Sequence, residues 1–318
     1  MRVFLKPILT IFYALLFLHC FLLSLLPIRV LYLFSNLLFL ITCYVLRYRR
    51  TIVRKNLREA FPEKGTDELQ SIERNFYRFF CDYIVETLKL FSIRKKTISR
   101  RITFGGVDGL REKLRAQNVI VYMGHYCNWE WVSSLPLHLT DTTENNAPTT
   151  EENPVIAGQL YHALENKAFD DLFLRLRSRF GAINIEMMGA LRQLVRFRMD
   201  NKRFIVAFIS DQAPNWNHIH LWTNFLNHKS AVFTGAESIA KSTESAVYYL
   251  DLTRVRRGHY HGEFIRMTDT PKDFPDYQLT EQYTALLEQT IRRAPQFWLW
   301  SHNRWKRTYE EYEQRVNT

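Results

Sequence analysis

Two residues in the first half of the chain have the types and spacing for general-base chemistry: His125 and Glu130, in the run Gly124-His125-Tyr126-Cys127-Asn128-Trp129-Glu130. Imidazole has the side-chain pKa nearest neutrality, and a nearby carboxylate can fix its tautomer and stabilise the imidazolium. Such a pair can take the proton of a substrate hydroxyl as that hydroxyl attacks an activated acyl group. The same residues also suit a plainer arrangement, a loop histidine satisfying backbone groups and a carboxylate on a helix surface.

The flanking residues say what must position them. Val119 to Met123 is a short apolar run stopped by Gly124, the pattern of a buried strand. Asn128 is a good helix N-cap, and Trp129 to Leu135 then begins a helix with Glu130 in its first turn, where a carboxylate meets the positive end of the helix dipole. His125 is thus expected in a strand-to-helix loop. In open α/β sheets, ligands bind outside the carboxyl ends of the strands, at such loops.

The box closely resembles the Gly-His-Phe-Gly-Asn-Trp-Glu box of the late acyltransferases of lipid A biosynthesis. That family's catalytic His and acidic residue fall on His125 and Glu130, while Cys127 stands where glycine is common. Other stretches follow the family's order. They are Arg49 to Glu63 after the apolar N-terminus, Arg177-Ser178-Arg179-Phe180-Gly181, Asp211-Gln212, and Trp298-Leu299-Trp300 with His302, Arg304 and Lys306. Two segments depart from it: Tyr161-His162-Ala163 replaces Tyr-Arg-Pro, and Asn224 to Lys229 replaces Phe-Phe-Gly-x-Pro.

The wider chain fits this resemblance. With 43 Lys and Arg against 32 Asp and Glu, the net charge is +11 and the pI near 9.5, a balance suited to an anionic partner. Four scattered cysteines, Cys20, Cys43, Cys81 and Cys127, argue against a zinc site or a disulfide framework and fit a reducing compartment. Ile8 to Leu26 is uncharged and close to the ~20 residues needed to span hydrocarbon. It is read as a retained membrane anchor, with Val30 to Leu46 either returning through the bilayer or lying in its interface. The following Arg47, Arg49, Arg50, Arg54, Lys55 and Arg58 suit anionic headgroups on the cytoplasmic side rather than nucleic acid. Leu139 to Asn153 reads as a polar loop. No Walker loop, dinucleotide glycine pattern or Gly-x-Ser-x-Gly elbow occurs.

The expected fold is α/β: a mixed central sheet flanked by helices, with residues 1–46 as anchor and interfacial segment and 47–318 as the acyltransferase domain. The resemblance implies a cell-inner-membrane enzyme facing the cytoplasm, with acyl carrier protein as acyl donor and a lipid A precursor as acceptor. It implies no metal and no cofactor. His125 is expected as general base with Glu130 holding the imidazole, and Asn128, Arg177, Arg179, Asp211, Gln212, His302 and Arg304 on the substrate side. Cys127 is the alternative nucleophile. Rival readings are an acyltransferase for a lysophospholipid or aminolipid, and a non-catalytic membrane tether for acyl carrier protein or lipid.

Overall fold

A computed structural model describes residues 2–139 and 155–316, with side chains from Tyr13 onward at the N-terminus. Most of the expected polar loop, from residue 140 to Asn153, lies outside the described residues.

Two apolar helices open the chain, α1 (Arg2–Leu25) and α2 (Ile28–Leu40), the latter prolonged by a wider π turn over Ile41–Val45. Pro27 separates them at the N-cap of α2, where its missing N–H costs nothing. Among the described residues, Ile28–Val45 is the window long and apolar enough to cross a bilayer, with mean hydropathy 1.8. The sequence had pointed first to the preceding run as the anchor. One face of the pair packs inward, burying Leu31, Ser35 and Phe39, while Leu15, Leu18, Leu22, Leu33, Leu37 and Val45 stand exposed.

The inner face meets α4 (Thr66–Lys89), reached through the basic helix α3 (Arg50–Ala60). Helical spacing in α4 buries Ile72, Phe76 and Phe79, and the same helix also buries Glu73, Asp82 and Glu86. Each of these acids is partnered. Asp82 accepts from Ser35 and Arg254, and Glu86 from Tyr32 and Tyr260. Thr66 begins the helix, and Gly65 holds the cap position.

The sheet and its covering helices begin with α5 (Lys95–Ser99), β1 (Ile102–Gly105), α6 (Val107–Ala116), β2 (Val119–Met123), α7 (Pro136–Leu139), β3 (Ile156–Tyr161), α8 (Lys167–Ser178), β4 (Ile183–Glu186), α9 (Ala190–Met199) and β5 (Phe204–Ile209). There follow a hairpin, β6 (Leu221–Phe225) and β7 (His228–Val232), then α10 (Gly235–Thr243), β8 (Ala246–Arg256), β9 (His259–Thr268), α11 (Gln278–Arg293) and α12 (Tyr309–Val316). The seven-stranded sheet runs β1-β9-β8-β2-β5-β3-β4, with only the β8–β9 pair antiparallel. This is the expected mixed sheet flanked by helices.

β2 is buried at all five positions, as a central parallel strand must be when helices cover both faces. Its register with β5 decides the site. Met123 pairs with Ile209, so Gly124-His125 and Ser210-Asp211 leave the sheet side by side at the same edge. The segment Asn224 to Lys229, which departs from the family pattern, closes the β6–β7 hairpin. Leu226 and Asn227 take positive φ at its two-residue turn, as tight hairpins require.

Candidate active site

Beyond the ends of β2 and β5, Nδ1 of His125 lies 2.6 Å from Oδ1 of Asp211, and the backbone N–H of His125 donates to Oδ2 at 2.8 Å. Trp298 Nε1 donates to that same Oδ2 at 2.7 Å. Burial by itself raises the Asp211 carboxyl, but the charge of His125 and these three hydrogen bonds overcome it and hold the group at about 2. An ionised Asp211 only accepts, so Nδ1 carries the proton and Nε2 is left as the basic nitrogen. Gln212 Nε2 is 3.4 Å from that Nε2. The imidazole side chain keeps 19% of its surface open to solvent, whereas the Asp211 side chain keeps 2%.

Local backbone explains why the loop holds this shape. At Gly124 any Cβ would come within 2.7 Å of Leu287 and 3.3 Å of Asp211 Oδ2, so the close carboxylate needs glycine there. Cys127 sits at φ +53, turning the chain sharply between His125 and Glu130. The segment Phe297 to Leu299 straps this turn. Cys127 N–H donates to the Phe297 carbonyl, Leu299 N–H donates to the His125 carbonyl, and Tyr126 bridges Trp298. Trp129 packs edge-on to the His125 ring at 5.1 Å and stacks on Tyr83 at 4.2 Å.

Glu130 follows in a 3₁₀ turn over Trp129–Ser134, capped by Asn128 as expected, though the turn is tighter than an α-helix. Its carboxylate is gripped in bidentate fashion by Arg177 from α8, with Nε at 2.8 Å and Nη2 at 2.6 Å. This corrects the expected geometry: Asp211, not Glu130, holds the imidazole, and Glu130 instead joins the loop after His125 to α8. An Arg–carboxylate fork is among the strongest side-chain pairs because both hydrogen bonds are charge-assisted.

The arrangement suits a base with an orienting acid, set at the carboxyl ends of the parallel strands β2 and β5. A profile of the bacterial lipid A biosynthesis acyltransferases matches residues 2–307. The chain belongs to this family. Two curated relatives are similar over 273 residues at 23% identity, covering 82% of this chain and 80% of theirs. They are a lipid A biosynthesis palmitoleoyltransferase of Escherichia coli (strain K12) and a lipid A biosynthesis acyltransferase of Shigella flexneri. Membership makes the protein an acyl-transferring enzyme of lipid A synthesis.

Within this lipid A acyltransferase, the residues expected on the substrate side divide. Asp211 and Gln212 stand beside His125, and the His302 backbone N–H donates to the Leu299 carbonyl of the strap. Arg177 is spent on Glu130. Asn128 is wholly buried, donating to Glu86 at 2.7 Å and accepting from the Trp131 N–H. Arg179 donates to the Leu90 carbonyl, and buried Arg304 to the Ala231 carbonyl at 2.7 Å. In the structure those three contact the loop and its supports.

Burial pushes the Cys127 thiol well above its ordinary value, the opposite of what an activated nucleophile needs. Two supporting residues carry no separate signal in the sequence: nothing in the Trp-Leu-Trp motif marks Trp298 as the donor to Asp211, and nothing marks Glu86 as a buried acid. Among the described residues, no three His, Cys, Asp or Glu side chains gather as a metal site.

Proposed function

We infer that the enzyme transfers a fatty acyl chain from an acyl thioester, with acyl carrier protein as the donor, to a hydroxyl of a lipid A precursor. The observation that carries this reading is the His125–Asp211 pair, whose geometry leaves Nε2 of His125 as the basic nitrogen at the sheet edge. Nε2 takes the acceptor hydroxyl proton as that oxygen attacks the thioester carbonyl. The tetrahedral oxyanion is met by a fixed donor, and the nearness of the Gln212 carboxamide to Nε2 supports that residue in the role. Collapse breaks the C–S bond, and the imidazolium returns its proton to the departing thiolate. Asp211 stays ionised throughout and stabilises the transient imidazolium.

The exposed apolar faces of α1 and α2 support work at a membrane, with the basic cluster after Leu46 favouring its cytoplasmic side. The family relationship favours a lipid A precursor over a lysophospholipid or an aminolipid.

Detergent-solubilised enzyme incubated with acyl carrier protein thioester and a lipid A precursor should yield a product heavier by one acyl chain in mass spectrometry. His125→Ala should lose about 10²–10⁴ in rate, the usual worth of a general base. Undiminished transfer by that variant, folded normally, would overturn the mechanism. Acylation of a lysophospholipid but not of the precursor would overturn the acceptor.

A further inference from the structure

Away from the sheet edge, the outer surface of α3 forms a cationic cup. Arg47, Arg50, Arg54, Lys55 and Arg58 line a concavity of about 620 Å³, with Thr51 and Glu59 completing the wall. Its organisation is more specific than a scatter of surface charge. Glu73 of α4, only 4% exposed, accepts from Nε of Arg50 at 2.7 Å through one oxygen and from Nε of Arg54 at 2.9 Å through the other. One buried carboxylate thus orients two guanidinium groups through their Nε atoms, and both arginines line the cup. Arginine forks matched in this way suit a phosphate, which takes parallel charge-assisted hydrogen bonds.

The surroundings indicate which phosphate. The cup begins where the apolar helices end. Val45 and Leu46 are 73% and 68% exposed, directly before Arg47, and Tyr48 follows with its ring stacked on Phe80. Apolar surface, an interfacial aromatic and then cations is the order met on passing from hydrocarbon to headgroups. With α1 and α2 in a bilayer, the exposed Val45 and Leu46 would set the cup's rim against headgroups and leave a soluble acidic protein less room.

We propose that the α3 cup is a binding site for the phosphate headgroup of an anionic phospholipid, separate from the acyl-transfer site, with Glu73 as the residue that positions Arg50 and Arg54. The proposal rests on the reading that α1 and α2 meet the bilayer, but its test needs neither a membrane nor catalysis.

The experiment is calorimetric titration of full-length enzyme in neutral detergent with dihexanoyl-phosphatidylglycerol, dihexanoyl-phosphatidylcholine and inorganic phosphate. The glycerol lipid should bind saturably at one site, more tightly than the zwitterionic lipid or free phosphate. Arg47→Gln and Lys55→Gln, both exposed and safe for folding, should each weaken it about fivefold, the effect of one cation near an anionic surface.

Glu73→Gln gives the decisive sign. It raises the net charge of the cup by one, so a diffuse electrostatic patch would bind more tightly, whereas an oriented site binds more weakly. Tighter binding by that variant, with an unchanged thermal melt, would overturn the positioning role. Equal affinity for inorganic phosphate would overturn the assignment to a lipid. So would loss of acyl carrier protein binding, rather than lipid binding, in the Arg47 and Lys55 variants. Failure of acyl transfer in any assay leaves these binding results intact, so the two readings fail separately.

Discussion

Nδ1 of His125 and Oδ1 of Asp211 meet at 2.6 Å although 86 residues separate them in the chain. The contact exists because β2 and β5 are parallel neighbours in register, with Met123 opposite Ile209. Two successive strand ends thus deliver a base and its acid to one point.

Asp211→Asn keeps the shape of the pair but can present its amide to Nδ1, turning the imidazole to the tautomer with a protonated Nε2. The turnover rate is expected to fall about 10²–10⁴-fold with KM little changed. Steady-state kinetics on the folded variant test this. A rate within a fewfold of wild type would show that Asp211 does not orient the base.

Glu130 calls for a different outcome. Its side chain is 3% exposed and paired with Arg177 at 23%. Removing one member of a buried pair strands the other charge and costs about 3–5 kcal/mol, here toward the lower end because Arg177 reaches solvent. Glu130→Ala should therefore lower the melting temperature by several degrees as well as activity, whereas His125→Ala should lower activity alone. The double variant Glu130→Gln/Arg177→Met should melt higher than Arg177→Met. Glu130→Ala melting like wild type would mean that the pair does not hold the loop.

The parts of this site legible in the sequence are the local ones. An apolar β-branched run predicts β2, and Asn128 before Trp129 predicts a cap, because each depends on neighbours a few residues away. The acid that holds the imidazole was misassigned for the opposite reason. Proximity of His125 and Glu130 in sequence suggests contact, but the positive φ of Cys127 and the 3₁₀ turn after it send Glu130 toward α8. Choosing Asp211 instead requires the order of strands in the sheet, which no spacing records. Glu86 was hidden because a buried carboxylate on an apolar helix face looks, in sequence, like a surface charge out of phase.

Cys127→Gly should retain transfer. Glycine accepts φ +53 without the cost of about 1–2 kcal/mol that a side chain carries in the left-handed region, offsetting the lost thiol packing. Donor thioester alone should leave no hydroxylamine-sensitive adduct on the protein in intact mass spectrometry. A kinetically competent acyl-Cys127 would replace direct transfer with a covalent route.

Acid sensitivity has two expected windows. Burial lowers His302 to about 4 from an ordinary 6.5, so the unfolded chain binds its proton first, and stability falls as pH drops from about 6.5 to 4. Asp211 is held at about 2 against an ordinary 3.8, so its contribution is present above pH 3.8 and lost as pH falls toward 2. Thermal melts across this range should show His302→Gln with a shallower decline than wild type above pH 4. Parallel curves would show that His302 is not buried in its neutral form.

The N-terminal helices are expected to matter for folding as much as for location. Leu31 and Phe39 of α2 are 2% and 7% exposed, and Ser35 and Tyr32 donate to the buried acids of α4. Burying two such apolar side chains contributes about 3–6 kcal/mol, a large share of the stability of an ordinary domain. Deletion of residues 1–46 should therefore give protein that melts far lower or aggregates, rather than a clean soluble enzyme. Deletion of residues 1–26 spares α2 and should fold. It should still need detergent, because Leu33, Phe34, Leu37 and Leu40 remain exposed on the outer face. Circular dichroism melts and sedimentation of both truncations compare the two. A monomeric 47–318 fragment with the wild-type melting temperature would show that α2 is only an anchor, and that the polar contacts it makes to α4 contribute nothing to the fold.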